Sequence, residues 1–321
     1  MKLQTKIPIR KQQHNLIDYN SKLLLIGSCF VENMGEKLDY FKFQSLQNPF
    51  GILFQPLAIE NLITNAINEK VYTEEDIFFQ NEQWHCFESH SKLSNPNKET
   101  LLNALNNQIQ LTANQLNNSS HIIITLGTAW VYRHIETDTI VSNCHKVPQK
   151  KFLKELLSVD EVSESLQSIV ALIRSVNRLA SIILTVSPVR HLKDGFVENT
   201  QSKAYLISAI HEFLNQKSLI VNQQSFYFPS YELMMDELRD YRFYAEDMIH
   251  PNQTAIKYIW EKFKESWMLE EALKTMEEVN IIQKGLQHKP FNPDSEAHKL
   301  FLQKLSESKV KIQSEFPHIF F

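Results

Sequence analysis

Apolar residues along this chain follow two rhythms. Unbroken runs at His121-Ile-Ile-Ile-Thr-Leu126 and at Ser181-Ile-Ile-Leu-Thr-Val-Ser187 read as buried strands, the first covered on both faces, and the short apolar run at residues 23–26 reads as a further strand. Between them, apolar positions recur every three or four residues. Helices are predicted from about Cys29 to Tyr40, around Leu57, Leu62 and Ala66, and along Leu102, Leu105, Ile109, Thr112 and Leu116. Three more follow: through Val162, Leu166, Ile169, Ile173 and Val176, over roughly Gln201 to Leu214, and from Pro251 to about Trp267. Residues 41–46 suit a second strand, and either 218–221 or 225–228 supplies the last. Strands alternating with helices, joined by right-handed crossovers, predict an α/β fold: a three-layer, doubly wound parallel sheet with ligands at the carboxyl ends of its strands.

Other segments leave this alternation. The aromatic-rich stretch 78–87 suits a hairpin, and Trp130-Val-Tyr-Arg with Thr139-Ile-Val-Ser, on either side of Glu136-Thr-Asp138, suggests an excursion hairpin. Lys146 through Lys154 reads as a solvated helix start. The expected domain division is 1–268, catalytic, and 269–321, a helical extension carrying Ala272, Met276, Val279, Ile282, Leu300, Leu305 and Val310.

The chemistry-bearing residues lie at punctuation points. In Lys22-Leu-Leu-Leu-Ile-Gly27-Ser28-Cys29-Phe30, Ser28 falls on a strand-to-helix turn, where a hydroxyl stands at a strand's carboxyl end and backbone N–H groups face an oxyanion. Serine there also caps a helix without catalysis. Much later, Glu246-Asp247-Met248-Ile249-His250-Pro251-Asn252 places a carboxylate three positions before an imidazole, with Pro251 expected to open the helix. An Asp that accepts from Nδ1–H leaves Nε2 free to take a serine proton. Gly27, Gly51 and Gly127, three of only six glycines, follow or flank predicted strand ends.

These blocks carry a resemblance. Gly27-Ser28, Asn48-Pro-Phe-Gly51, Leu126-Gly127-Thr128 and Asp247-x-x-His250-Pro251-Asn252 resemble the successive motifs of the SGNH (GDSL-like) hydrolase superfamily. Gly27-Ser28-Cys29-Phe30 resembles more particularly the bacterial GSCFA-domain family, as do Ser187-Pro-Val-Arg190-His191 and Glu198-Asn-Thr-Gln-Ser202-Lys203-Ala204. The resemblance spans roughly the first four-fifths of the chain and leaves the tail after about Met268 outside. It implies a hydrolase cleaving a small acyl ester, on a carbohydrate or cell-envelope precursor, with catalytic Ser28, Asp247 and His250. Ser28 and Gly51 N–H are the implied oxyanion donors. The superfamily's asparagine two positions after the block glycine is replaced by Ala129, so Thr128, Asn143 or His145 is considered as its substitute.

Arg190 and His191, directly after a strand, are expected at the site edge, where a guanidinium can hold a substrate carboxylate or phosphate. Trp130 is a candidate wall for a sugar ring. Ser202 and Lys203 are rejected as a dyad because neighbours on a helix point apart. Cys29 reads as a small core residue, and His85-Cys86 with Cys144-His145 lacks the spacing of a zinc site. No metal or organic cofactor is needed for this chemistry.

Composition sets the outer bounds. With 43% hydrophobic and 22% charged residues and a net charge of -4, nothing favours a nucleic acid partner. No run is long enough to span a bilayer, and residues 1–10 lack a secretory core, so a cytoplasmic location is expected. Three cysteines without paired spacing read as reduced thiols. Two rivals to the hydrolase stay open: an acyltransferase using the same triad, and a binding module that keeps the fold without turnover.

Overall fold

A computed structural model describes residues 5–216 and 224–321. Five parallel strands form the central sheet: β1 (Lys22–Gly27), β2 (Gln44–Gln47), β5 (His121–Leu126), β9 (Ser181–Val186) and β10 (Ser225–Tyr227), in the spatial order β2-β1-β5-β9-β10. Strand order reverses between β1 and β5, so a crevice opens beyond their carboxyl ends. Ser28 follows β1 directly at that switch point.

The apolar runs divide by parity between two cores. Leu24, Ile26, Ile122, Ile124, Ile182 and Leu184 join one buried cluster, and Leu23, Leu25, Ile123 and Ile183 join the other. Strand side chains alternate faces, so a sheet covered on both sides requires apolar residues at every position. The first face is covered by α2 (Pro56–Ile67), α3 (Lys98–Asn118), α4 (Val159–Val176) and α5 (Phe196–Asn215). The second is covered by α1 (Cys29–Tyr40) and α7 (Gln253–Trp267), and its cluster continues into α8 (Glu270–Gln287) and α9 (Glu296–Glu315). The fold is therefore a three-layer α/β/α sandwich with C-terminal helices.

Around it lie the expected hairpin, β3 (Phe78–Gln80) with β4 (Gln83–His85), and a small antiparallel sheet of β6 (Trp130–His134), β7 (Thr139–Val141) and β8 (Phe152–Leu156). Strand β8 corrects the reading of 146–154 as a helix start. Lys154 pairs across to Tyr132 on β6, and its ammonium reaches Asp194 at 2.6 Å, a partner visible only in three dimensions. The second strand begins at Gln44 rather than Phe41 because the chain turns at Lys42, with φ of 64°. The helix expected from Gln201 begins at Phe196. Helix α7 begins at Gln253, capped by Asn252, whose Oδ1 accepts from Thr254 and Ala255 N–H. Pro251 lies before that helix, in a bridge with Tyr244, rather than opening it. Of the two candidate last strands, 225–227 is formed, and 218–221 lies outside the described residues.

Following Tyr227, a short helix α6 (Ser230–Glu232) runs into a wide turn, Leu233–Glu237. No helix among the described residues is long and apolar enough to cross a membrane.

Candidate active site

A cavity of about 540 Å³ opens at the switch point, lined by Ser28, Thr128, Trp130, Arg190, His191 and His250 among others. Ser28 is 1% exposed and caps α1: its Oγ accepts from Phe30 N–H at 3.3 Å. Gly27 holds the approach to it, at φ 146°, where an added Cβ would lie 2.2 Å from the Thr125 carbonyl oxygen. Only glycine lets β1 and β5 run this close to the turn.

Opposite stands the Asp247–His250 turn. Met248 at φ 58° reverses the chain, and Asp247 Oδ1 accepts from the N–H groups of Ile249 (2.9 Å) and His250 (3.0 Å). Asp247 Oδ2 lies 2.6 Å from His250 Nδ1. The backbone and imidazole donors of His250, then Ile249 N–H, hold the Asp247 carboxyl down at about 2. A carboxylate ionised at all ordinary pH values binds Nδ1–H, and Nε2 is left for proton transfer. Among the described residues Ser28 Oγ bonds to Phe30 N–H and not to His250, so the two side chains share one cavity without a hydrogen bond between them.

The oxyanion donors expected from the motifs are already engaged. Ser28 N–H donates to Thr125 O at 3.0 Å, and Gly51 N–H closes its own turn onto Asn48 O at 2.7 Å. Gly51 does not line the cavity. Its φ of 74° and the 2.4 Å between an added Cβ and His90 Cβ give glycine another reason here: it seats His90. His90 lines the cavity and was not singled out by any motif. Its Nδ1 accepts from Lys92 N–H at 3.3 Å, so the neutral ring carries its proton on Nε2. Burial, then Lys92, lowers its pKa and favours that neutral form.

Thr128 Oγ1 accepts from Trp130 N–H (3.1 Å) and shares a hydrogen bond with Ser202 Oγ (2.9 Å). Asn143 and His145 are not among the cavity's lining residues. Asn143 Oδ1 accepts from His145 N–H, and the buried His145 imidazole bonds the Cys86 carbonyl at 2.7 Å among Phe78, His85 and Phe87. His85 and His145 do meet, with centroids 4.7 Å apart, yet His85 spends both nitrogens on Ser94 Oγ and Gln80 O. Cys29, Cys86 and Cys144 are unpaired. Burial raises the pKa of all three thiols, Cys86 to about 12 and Cys144 to about 11.

Beneath the floor, Lys203 is 1% exposed and donates from Nζ to Gly127 O (2.6 Å) and Ser187 O (2.8 Å). These carbonyls end β5 and β9, where a parallel sheet leaves acceptors without strand partners. Burial pushes the ammonium down to about 7. Its neighbour Ser202 binds Ala129 N–H at 2.7 Å, so the two serve as separate ties. Burial, then Lys203 and His250, push His191 down to about 3, leaving its imidazole neutral with Nε2 unpartnered among the described residues. The wall is closed by Trp130, whose Nε1 donates to Glu198 O at 3.3 Å and whose face lies 4.5 Å from Lys154 Nζ.

No curated protein matches this chain. Among solved structures it is similar to an acetyl xylan esterase from the rumen bacterium Butyrivibrio proteoclasticus, with a TM-score of 0.37 and 10% identity, over 78% of this chain and 65% of that one. This chain therefore spans less than two thirds of that structure's length. Residues 279–321 match the C-terminal domain of GSCFA domain proteins, which brings the tail, expected outside the resemblance, within it. Residues 22–263 match the GSCFA family itself, and on that match the chain belongs to the GSCFA family.

Proposed function

We propose that this protein is a serine esterase that removes a small acyl group through Ser28, His250 and Asp247. The observation that carries the reading is the 2.6 Å hydrogen bond from His250 Nδ1 to Asp247, made at the mouth of the same cavity whose floor is Ser28. In this reading Ser28 Oγ attacks the ester carbonyl as His250 Nε2 takes its proton. The tetrahedral oxyanion collapses, the C–O bond to the alcohol breaks, and His250 returns the proton to the departing oxygen. Water, activated the same way, then frees the acyl group and restores Ser28.

With Ser28 and Gly51 N–H engaged, the oxyanion needs other donors, each worth on the order of 3 kcal/mol of barrier. His90, with its proton on Nε2, lines this cavity, and the α1 N-terminus adds its positive end, while the Thr128 hydroxyl is engaged with Ser202 and Trp130. The family resemblance suggests a carbohydrate or cell-envelope precursor as the acyl carrier, and Trp130, Phe54 and Tyr132 offer aromatic faces for a ring. One observation favours a second reading, a binding module of the same fold: Ser28 Oγ is held by Phe30 N–H instead of His250.

Labelling with a fluorophosphonate, read by intact mass, separates the two. One adduct on the wild type, absent from Ser28→Ala and strongly slowed in His250→Ala, is expected. A folded wild type that takes no adduct would overturn the esterase in favour of the binding module. Faster ester consumption on adding an alcohol, with the acyl group found on that alcohol, would make the enzyme an acyltransferase.

A further inference from the structure

Arg190 emerges two residues after Pro188, beyond the end of β9, and its N–H donates to Ile249 O at 3.2 Å, one residue before His250. Its guanidinium carbon lies 4.1 Å from the ring centroid of Tyr244 and 5.3 Å from that of Tyr241. Among the described residues no carboxylate comes within ion-pairing distance of it. Arg133 and Arg242, by contrast, are paired with Glu155 and Asp240 at 3.1 and 2.9 Å. A guanidinium fixed by stacking has already given up much of its side-chain freedom, and it keeps N–H pairs that suit two oxygens of one anion.

Its position gives that anion a place. Arg190 lines the Ser28 cavity and also a neighbouring one of about 380 Å³, lined by Tyr231, Met234, Arg239, Tyr241 and Tyr244. Two carboxylates belong to this second cavity, the exposed Asp236 and Asp240, and Asp240 is neutralised by Arg242. In the Ser28 cavity Asp194 is neutralised by Lys154 at 2.6 Å, while Lys193 adds a further cation. Arg190 is the side chain that the two linings share, and it enters both without a carboxylate partner among the described residues.

We infer that the alcohol part of the ester carries an anionic group, a carboxylate or a phosphate, seated on Arg190 while the acyl group lies at Ser28. The inference rests on the esterase reading for its substrate but not for its anion site, and the experiment separates them. Full-length Ser28→Ala protein is titrated calorimetrically with glucose, glucuronate and glucose 6-phosphate, then again with Arg190→Gln or Arg190→Lys added. Wild-type kcat/KM is measured on the acetyl esters of the same three sugars.

At least one anionic sugar is expected to bind about tenfold or more tightly than glucose, and its acetyl ester to be preferred in kcat/KM by a similar factor. Which anion wins tells carboxylate from phosphate. Arg190→Gln should collapse the preference and Arg190→Lys should retain part of it. Equal binding of all three sugars, no binding of any at millimolar concentration, or a preference that survives Arg190→Gln would overturn the inference. An anion preference lost with Arg190→Gln, in a protein that takes no fluorophosphonate adduct, upholds the anion site and sinks the esterase alone.

Discussion

Gly51 is the seat of His90: a Cβ at position 51 would lie 2.4 Å from His90 Cβ, and the backbone there has φ of 74°. The motif glycine is thus linked to the site through a side chain that no motif names. Replacing it strains the backbone and displaces the imidazole at once. Gly51→Ala is expected to cost about 1–3 kcal/mol in urea unfolding and to lower kcat/KM by as much as His90→Ala does. A Gly51→Ala protein that is destabilised yet fully active would show that His90 takes no part in turnover.

Two groups of the site are held in one charge state by their surroundings. Asp247, at about 2, remains a carboxylate across any working range, and His191, at about 3, remains neutral. Neither of these two groups should therefore contribute a limb to kcat/KM against pH across the neutral range. Asp247→Asn should lower kcat by about 10²–10⁴ through loss of the correct tautomer. Asp247's depressed value also means that its contribution to stability is present above the ordinary carboxylate range and is lost as pH falls toward 2. A limb in the neutral range that disappears in His191→Asn would overturn the neutrality of that imidazole.

Legibility in the sequence tracked locality. The three central strands declared themselves because burial on both faces leaves no polar position in runs such as Leu23, Leu24, Leu25 and Ile26. The Asp247–His250 bond was readable from a spacing of three residues, because one turn makes it. Strand β8 was not readable, since its one lysine, Lys154, is explained by a partner elsewhere in the chain, Asp194. His90 and Gly51 are 39 positions apart in the chain, and Lys203 takes carbonyls 76 and 16 residues away, so no window shows either relationship. Engagement of Ser28 and Gly51 N–H was likewise hidden: a motif names donors but not what they are bonded to.

Lys203 offers a thermodynamic signature. Burial lowers its folded-state pKa from 10.5 to about 7, so between those values the unfolded chain binds the extra proton. Stability then rises with pH across that window and is flat in this group below it, where both states carry the charge. Measured as the difference between wild type and Lys203→Met in urea midpoint, wild-type stability should climb from pH 7 to 10. A constant difference would mean that the ammonium keeps its proton on Gly127 O and Ser187 O throughout.

The C-terminal helices should unfold with the sheet. Ile312 on α9 is 1% exposed and belongs to the same buried cluster as Phe30, Leu38 and Trp260. Tyr40 joins α1 to α8 by donating to Asn280 Oδ1 and accepting from Gln283 Nε2, both at 2.9 Å, and the Tyr19 ring lies 5.0 Å from Phe316. Emptying one site of a shared core weakens everything that core supports. Ile312→Ala is therefore expected to cost about 2–5 kcal/mol and to shift one cooperative transition, seen alike by far-ultraviolet circular dichroism and by tryptophan fluorescence. An early transition in the dichroism alone, with the fluorescence midpoint unmoved, would make residues 269–321 a separately folding appendage. The tail would then have no energetic hold on α1, the helix that Ser28 caps.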